Sequence, residues 1–396
     1  MNPDPVLPPS MALSGHYALR PGVRGSIVGQ RPVLGGGRLG RLLRGQHGES
    51  VERTLGNVFT LCAHAHRRTA RLALNAANPT TKALAAVESS ALLRLETARD
   101  HLRSMALDWP HRQPEPNNPP HDLDWLRDCP LPLLAAPRLC QAEEAWAALA
   151  QLRDWLGLRV LGLPVRDWLA SHREPEAFAQ WCRARAPYLP PARRLAAWYR
   201  QAHALKPETR CLDLLDTNLA RQSVRLRQVA QAMASEAGFV QQPTWLGQCA
   251  ETGTWTRLRH LRGRATIQHS AWTRLSARWI EVMDIAAANP LPFPGDSDPL
   301  LASGALTLGE GQAIAWCEMA RGLLLHWVQL DPQGRVDDYR VLAPTEWNFH
   351  SDGALARALT ALPPGDTASA HTLAAAFDPC VDCTVQANTS RENANA

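Results

Sequence analysis

The chain has almost no lysine, few tyrosines and phenylalanines, and no long apolar run. Lys82 and Lys206 are its only lysines, and its arginines are scattered among acidic residues rather than grouped in a stripe. Together with a modest net charge of +5, this pattern indicates no nucleic-acid partner. No apolar run approaches the ~20 residues that a membrane-spanning helix needs. The sequence therefore predicts no membrane span.

The cysteines do not form the pattern of a secreted disulfide framework. There are nine in 396 residues, and seven of them stand singly, whereas such frameworks occur in small, cysteine-dense chains. The proline-rich N-terminus, Met1 to Ser10, lacks the charged and then apolar regions of a secretory signal. We therefore expect a protein of the reducing cytoplasm.

Helical periodicity dominates the middle of the sequence. From Val51 onward, apolar residues recur at three- and four-residue steps, which predicts one face of a helix formed by Leu55, Val58, Phe59, Cys62 and Ala65. Further helices are expected at 82–107, 142–156, 174–186, 191–204, 213–237, 268–287, 353–361 and 367–376. Residues 16–45, rich in Gly, Val and Arg, predict a small β-hairpin or meander.

Two proline-rich stretches, 110–120 and 289–299, interrupt the helical pattern and predict surface loops. After the second, residues 323–330 and 336–341 flank a turn and predict a β-hairpin. We therefore expect a mainly α protein with small β elements (α+β). It would comprise a β-rich segment at 1–50, a helical domain at 51–386 that ends in the hairpin and a cysteine loop, and a disordered polar tail at 387–396.

A glycine-rich stretch, Gly35 to Gly40, formally satisfies the dinucleotide-binding pattern Gly-x-Gly-x-x-Gly. That pattern has meaning within a βαβ unit that is followed by an acidic, ribose-binding residue. The surrounding sequence predicts neither feature. We therefore interpret the stretch as a glycine-rich turn.

The sharpest motif is Asp378-Pro379-Cys380-Val381-Asp382-Cys383, near the C-terminus. Two cysteines three positions apart can turn their thiolates toward one centre, and Pro379 restricts the backbone before them. Alone, the pair is compatible with metal ligation, redox chemistry or neither. A structural zinc site would need a second close Cys or His pair, and a thioredoxin-like role would need a βαβ fold; the sequence suggests neither.

Four segments together resemble the large subunit of nickel-iron hydrogenases. They are Glu318–Gly322 before the hairpin, Pro344–Asn348 after it, the Asp-Pro-Cys-x-x-Cys motif, and Cys62 where that family has a cysteine pair at the start of a long helix. The resemblance implies a large-subunit-like fold in which Cys62 and Cys380 match terminal metal ligands and Cys383 matches a bridging one. It also implies that Arg321 and Thr345 match the residues that contact iron-bound cyanides, which are anionic acceptors suited to such donors.

The chain departs from the catalytic pattern at the positions that complete the metal site. Ala65 stands where the second N-terminal cysteine would be, and an alanine cannot bridge two metals; Gln386 stands where the C-terminal histidine would be. A soft thiolate site with one bridge deleted is poorly built for a nickel-iron pair. These departures resemble the HupK/HoxV-type hydrogenase expression/formation proteins, which are paralogues of the large subunit.

This second resemblance implies a maturation scaffold rather than an enzyme. Cys62, Cys380 and Cys383 would hold iron as an Fe(CN)2(CO) unit, a transient cargo, while Arg321 and Thr345 would bind its cyanides; binding of nickel stays open. The partners would be maturation chaperones and the catalytic large subunit. Two alternatives remain: a divergent catalytic subunit, against which Ala65 argues, and a metal-free adaptor. Without the motif histidine we expect residues 387–396 to be retained.

Overall fold

The computed structural model describes residues 15–31, 34, 37–78, 90–112, 123–133, 142–261, 269–289 and 298–387. Its helices are α1 (Arg38–Leu43), α2 (Glu49–Val58), α3 (Ala63–Ala77), α4 (Ser90–Arg103), α5 (Trp109–Arg112), α6 (Ala142–Trp155), α7 (Val165–His172), α8 (Pro175–Arg185), α9 (Pro190–Ala204), α10 (Leu219–Ser235), α11 (Thr254–Leu261), α12 (Ala271–Ala287), α13 (Pro344–Asn348), α14 (Ala354–Thr360) and α15 (Thr367–Phe377). Its strands are β1 (His16–Leu19), β2 (Ile27–Gln30), β3 (Ser303–Gly309), β4 (Gln312–Met319), β5 (Gly322–Leu330), β6 (Val336–Leu342) and β7 (Asp382–Val385). The predicted mainly α fold with small β elements is confirmed. Within these ranges, no helix combines the length and the apolar character that crossing a bilayer requires.

Helix α12 runs through the centre of the helical part. Nearly all its side chains are buried, and it packs against α4, α6, α7, α9, α11 and α15. Ser270 caps its N-terminus by accepting a hydrogen bond from the Thr273 amide at 3.2 Å. A helix buried on all sides must neutralise its charges inside the protein, and Arg274 does so with a buried ion pair to Glu251 at 2.6 Å.

The larger sheet is an antiparallel meander with strand order β3-β4-β5-β6. Helix α3 packs on one face, where Ala313, Ala315 and Cys317 of β4 join the main core. Ile314 and Trp316 point to the other face and join a second apolar cluster with α10. The predicted hairpin is therefore half of a four-stranded sheet. Strands β3 and β4 were missed, because β4 is buried on both faces and shows no alternation of polar and apolar residues.

The smaller sheet joins the two ends of the chain. Strand β1 lies between β2, its antiparallel partner, and β7, its parallel partner, so that Tyr17 pairs with Gly29 on one side and Cys383 on the other. Gly29 has φ 131°, and a Cβ there would lie 2.0 Å from the His16 carbonyl oxygen, so the hairpin requires glycine. The cysteine loop thus continues into a strand.

Four local predictions are corrected. The helix that begins before Val51 ends at Val58, and Cys62 closes a separate 3-10 turn, Thr60–Cys62, so these residues do not share one helix face. Residues 38–43 and 109–112 are helical, where a β meander and a loop were predicted, and α10 begins at Leu219 rather than at 213. Gly35, Gly36 and most of the predicted tail lie outside the described residues, and the domain boundaries stay a prediction.

Candidate metal centre

Cys62 is buried at the N-cap of α3. The carboxylate of Glu96, on α4, accepts hydrogen bonds from the amides of His64 at 2.8 Å and Ala65 at 2.9 Å. These amides belong to the first turn of α3, which has no partners for them within the helix. A side chain from a neighbouring helix therefore caps α3 and fixes the position of Cys62.

Cys380 reaches the same region from the C-terminal loop. Helix α15 ends at Asp378, which takes a left-handed conformation with φ 49°, and this reversal sends the chain toward α13. There the Thr345 hydroxyl and the Cys380 sulfur lie 3.1 Å apart and are hydrogen bonded. Pro344 opens α13 at a position where a proline costs no hydrogen bond, so Thr345 lies in a buried first turn.

The thiols of Cys62 and Cys380 interact electrostatically with each other and with Arg321. Burial raises the pKa of Cys62 well above its usual value, the charge of Cys380 raises it further, and the guanidinium of Arg321 opposes the rise. The structure thus brings together four of the predicted site residues: Cys62, Arg321, Thr345 and Cys380. A cationic metal would have to displace the proton from the Cys62 thiol on binding.

Arg321 occupies the tight turn between β4 and β5, and acidic side chains from two other elements hold it. Its Nη1 donates to Asp100 on α4 at 3.1 Å, and its Nε lies 3.6 Å from the carboxylate of Asp378. The pKa of Arg321 is raised, because these carboxylates and the two nearby thiols outweigh the effect of burial. The distance to Asp378 is too long for a hydrogen bond, so among the described residues the buried Nε–H has no hydrogen-bond acceptor.

Asp378 is itself held firmly. Ser104 donates a 2.7 Å hydrogen bond to one of its oxygens, and Arg278 on α12 lies 3.5 Å from the same oxygen. Burial would raise the pKa of Asp378, but Arg278 and Arg321 outweigh it and lower the pKa to about 2. The cysteine loop therefore starts from a carboxylate that stays ionised and anchored at neutral pH.

Arg31 and Glu346 form a buried ion pair beside this site that sequence reasoning missed. Arg31 follows β2, and its Nη1 donates to the Glu346 carboxylate at 3.2 Å, with both side chains 5% exposed. The pKa of Arg31 is raised because Cys380, Glu346, Tyr17 and Cys62 together outweigh the effect of burial. No motif marks Arg31; the signal available in the sequence was Glu346, an acidic residue next to Thr345 that needs a partner if buried.

Cys383 does not join the other two thiols in a three-sulfur group. It lies in β7 opposite Tyr17, and Arg112 donates a hydrogen bond to its carbonyl oxygen. Burial raises the pKa of its thiol to about 11, and Arg112 opposes that rise. Across the described ranges, no three His, Cys, Asp or Glu side chains are placed to hold a metal ion. A shared role of Cys383 with Cys62 and Cys380 stays a prediction.

A cleft of about 350 Å³ runs along the cysteine loop. Cys380 and Cys383 line it together with Leu61, the neighbour of Cys62, and with Asp108 and Arg112. Both cysteines of the motif therefore border one space. That space would allow a small metal complex to reach the thiols.

A family model agrees with the resemblance seen in the sequence. The family model for nickel-dependent hydrogenases matches residues 302–386, the part that carries the β meander, α13 and the cysteine motif. A solved structure, of an NAD+-reducing NiFe-hydrogenase in the H2-reduced state, is 13% identical with a TM-score of 0.45, and covers 89% of this chain and 90% of that chain.

Curated relatives match over almost the whole chain. The hydrogenase expression/formation protein HoxV of Cupriavidus necator is 40% identical over 397 residues, covering 95% of this chain and 96% of the relative. HupK of Rhizobium leguminosarum bv. viciae is 31% identical and covers 87% and 88% of the two chains. HupK of Azotobacter vinelandii is also 31% identical and covers 89% and 91%. The chain therefore belongs to the HoxV/HupK family of hydrogenase expression/formation proteins.

Proposed function

We propose that this protein is a non-catalytic scaffold in nickel-iron hydrogenase maturation that holds an Fe(CN)2(CO) unit before its transfer to the catalytic large subunit. Its relatives are named as hydrogenase expression/formation proteins, which supports a role in maturation. The observation that carries the finer proposal is the meeting of two thiols, the buried Cys62 and the half-buried Cys380, with the guanidinium of Arg321.

The donors at this site suit a metal that brings its own anionic ligands. Thiolates bind soft metal centres, so Cys62 and Cys380 would bind the iron. A cyanide bound to iron ends in a nitrogen that accepts hydrogen bonds, and the unpartnered Nε–H of Arg321 can donate to it. The Thr345 hydroxyl, now hydrogen bonded to the Cys380 sulfur, can turn to donate to a second acceptor.

The site also lacks what a permanent two-metal centre would need. Ala65 is fully buried in the first turn of α3 and offers no ligand. Cys383 borders the cleft together with Cys380, and Arg112 contacts its backbone there, so we propose that it adds its sulfur as the cargo enters through the cleft. A centre held by few protein ligands releases its cargo more readily, which a scaffold needs and an enzyme does not.

Infrared spectroscopy on protein purified anaerobically from cells with the full maturation machinery tests this proposal. We expect cyanide and carbonyl stretches in the wild type and their loss in Cys380→Ser and in Cys383→Ser. Cys129→Ser is the matched control, since Cys129 is a partly buried cysteine in a loop that contributes nothing to the site; it should keep all bands.

Three results would contradict the scaffold. A silent spectrum from well-folded wild-type protein would favour a metal-free adaptor. Bands that persist in both motif variants would place the cargo elsewhere. Hydrogen oxidation by the isolated protein would favour a divergent catalytic subunit. The partners that we propose, maturation chaperones and the catalytic large subunit in the cytoplasm, would be sought by co-purification from the same cells.

A further inference from the structure

Arg31 is a buried cation near the thiols of Cys62 and Cys380. The proposed function assigns no role to this arginine. It approaches from the end of β2, whereas Arg321 approaches from the β4–β5 turn. A chain of contacts links it to the sulfur: Arg31 pairs with Glu346 at 3.2 Å, Glu346 follows Thr345, and the Thr345 hydroxyl is 3.1 Å from Cys380. Through these contacts Arg31 lies close enough to interact electrostatically with both Cys380 and Cys62, as Arg321 does.

Two fixed positive charges next to a pair of thiols affect a metal complex with anionic ligands and a bare metal cation in opposite ways. They stabilise the thiolates and attract any anionic group that a metal carries with it. They repel a bare divalent cation, and in a buried site that repulsion is screened much less than at the surface. Glu346, Asp100 and Asp378 balance part of the charge, but an arginine, unlike a lysine, does not lose its proton to relieve the rest.

Arg31 also keeps an unsatisfied donor. Its Nη1 donates to Glu346, while its buried Nε–H has no hydrogen-bond acceptor within the part of the chain that the structure describes. Such an atom costs stability unless something occupies the space in front of it. An acceptor carried by a ligand would satisfy this donor, and a bare cation would not.

We propose that Arg31 makes this site selective for an anion-bearing metal complex over a bare divalent cation. The identity of the complex as an iron–cyanide unit rests on the proposed function; the selectivity itself does not. Arg31 acts as a specificity-determining residue, and Glu346 holds it in place. The same arrangement keeps free zinc or nickel from occupying the thiols before the cargo arrives.

Zinc titration of protein purified without maturation partners tests the selectivity, with Zn2+ alone as the probe and a chromophoric chelator as the competitor. Arg31→Gln should bind Zn2+ on the order of tenfold or more tightly than the wild type. Adding Cys380→Ser to Arg31→Gln should abolish this gain. The variant Arg31→Lys keeps the positive charge, and Glu346→Gln keeps the guanidinium of Arg31. Neither variant should bind Zn2+ more tightly than the wild type.

Folding is checked by the thermal unfolding midpoint of each variant. If Arg31→Gln does not fold, Arg31→Gln/Glu346→Gln replaces it, because removing both members of a buried pair is tolerated better than stranding one. Arg94→Lys is the remote control, since Arg94 forms a comparably buried pair with Asp298 at 2.6 Å; its zinc affinity should equal that of the wild type.

An unchanged zinc affinity in Arg31→Gln, or a gain that survives Cys380→Ser, would overturn the selectivity. The two proposals fail separately. If the wild type shows the infrared bands but Arg31→Gln binds Zn2+ no more tightly than the wild type, the scaffold proposal stands and the selectivity proposal is wrong. If Arg31→Gln binds Zn2+ more tightly but the wild type shows no infrared bands, the selectivity proposal stands and the proposed iron–cyanide cargo is wrong.

Discussion

Thr345 is the residue at which the proposed recognition of cyanide can be tested most finely. Its side chain is 2% exposed, and its hydroxyl is 3.1 Å from the Cys380 sulfur. Thr345→Val preserves the shape and removes the donor. We expect one of the two cyanide stretches to shift and retention of the cargo to fall about fivefold, the equivalent of about 1 kcal/mol for one hydrogen bond.

The control at this position is Thr345→Ser, which keeps a hydroxyl. It should leave both cyanide stretches in place in the infrared spectrum of the loaded protein. Identical spectra for the wild type, Thr345→Val and Thr345→Ser would show that the hydroxyl does not face the cargo.

At the scale of single residues, the sequence predicted those members of the site that lie in short motifs. Cys62, Arg321, Thr345 and Cys380 each lie in a segment that resembles a known family, and the structure brings these four together. Asp100 could not be found this way, since 221 residues separate it from Arg321. A contact of that kind is set by the packing of α4 against the core, which no local pattern encodes.

At the scale of elements, the stability of the first turn of α3 depends on the protonation state of the Glu96 carboxyl, which caps it. Burial, with a contribution from Asp100, raises the pKa of Glu96 from 4.5 to about 7, although the His64 and Ala65 amides oppose the rise. The folded state therefore binds a proton more tightly than the unfolded chain. The stability that Glu96 contributes is complete below about pH 4.5 and is lost as the pH rises toward 7.

We therefore expect the thermal midpoint of the wild type to fall relative to that of Glu96→Gln between about pH 4.5 and pH 7. The difference should correspond to about 3 kcal/mol at most. Differential scanning calorimetry of both proteins measures it. Glu346, whose pKa is also raised to about 7, is present in both proteins and cancels. Midpoints that stay parallel across this range would contradict the assignment to Glu96.

The long amphipathic helices were predictable because one polar face marks each of them. Residues 142–156 and 174–186 were predicted to be helical, and α6 and α8 end within a residue or two of those limits. The break at Phe59 was not predictable in this way. The apolar spacing continues through it, so the period of the sequence gives no sign that Cys62 starts a new helix.

At the scale of the whole molecule, the first and last described strands hold each other in place. Strand β7 pairs with β1 from His16 opposite Asp382 to Leu19 opposite Val385, and the His16 ring lies 3.2 Å from the Asp382 carboxylate. We expect a chain that ends at Val381 to expose the N-terminal hairpin. Tryptic cleavage after Arg24, an exposed residue in that hairpin, should accelerate at least about tenfold.

The matched control is a chain that ends at Ala387, which keeps β7 and should be cleaved as slowly as the full chain. Equal cleavage rates for all three chains would show that β7 does not hold the hairpin. The intact mass of the full chain after co-expression with the maturation machinery checks the expectation that residues 387–396 are retained, and loss of these residues would contradict it.

The pairing of β1 with β7 has a consequence for the timing of biosynthesis. Strand β1 leaves the ribosome about 360 residues before its parallel partner β7, and about as long before both cysteines of the motif. At the usual rates of synthesis, β1 waits about half a minute with one edge unpaired. Under the proposed function, the nascent chain would take up its iron cargo only after both cysteines of the motif have left the ribosome. A factor that protects the open edge until then would act on the ribosome-bound chain.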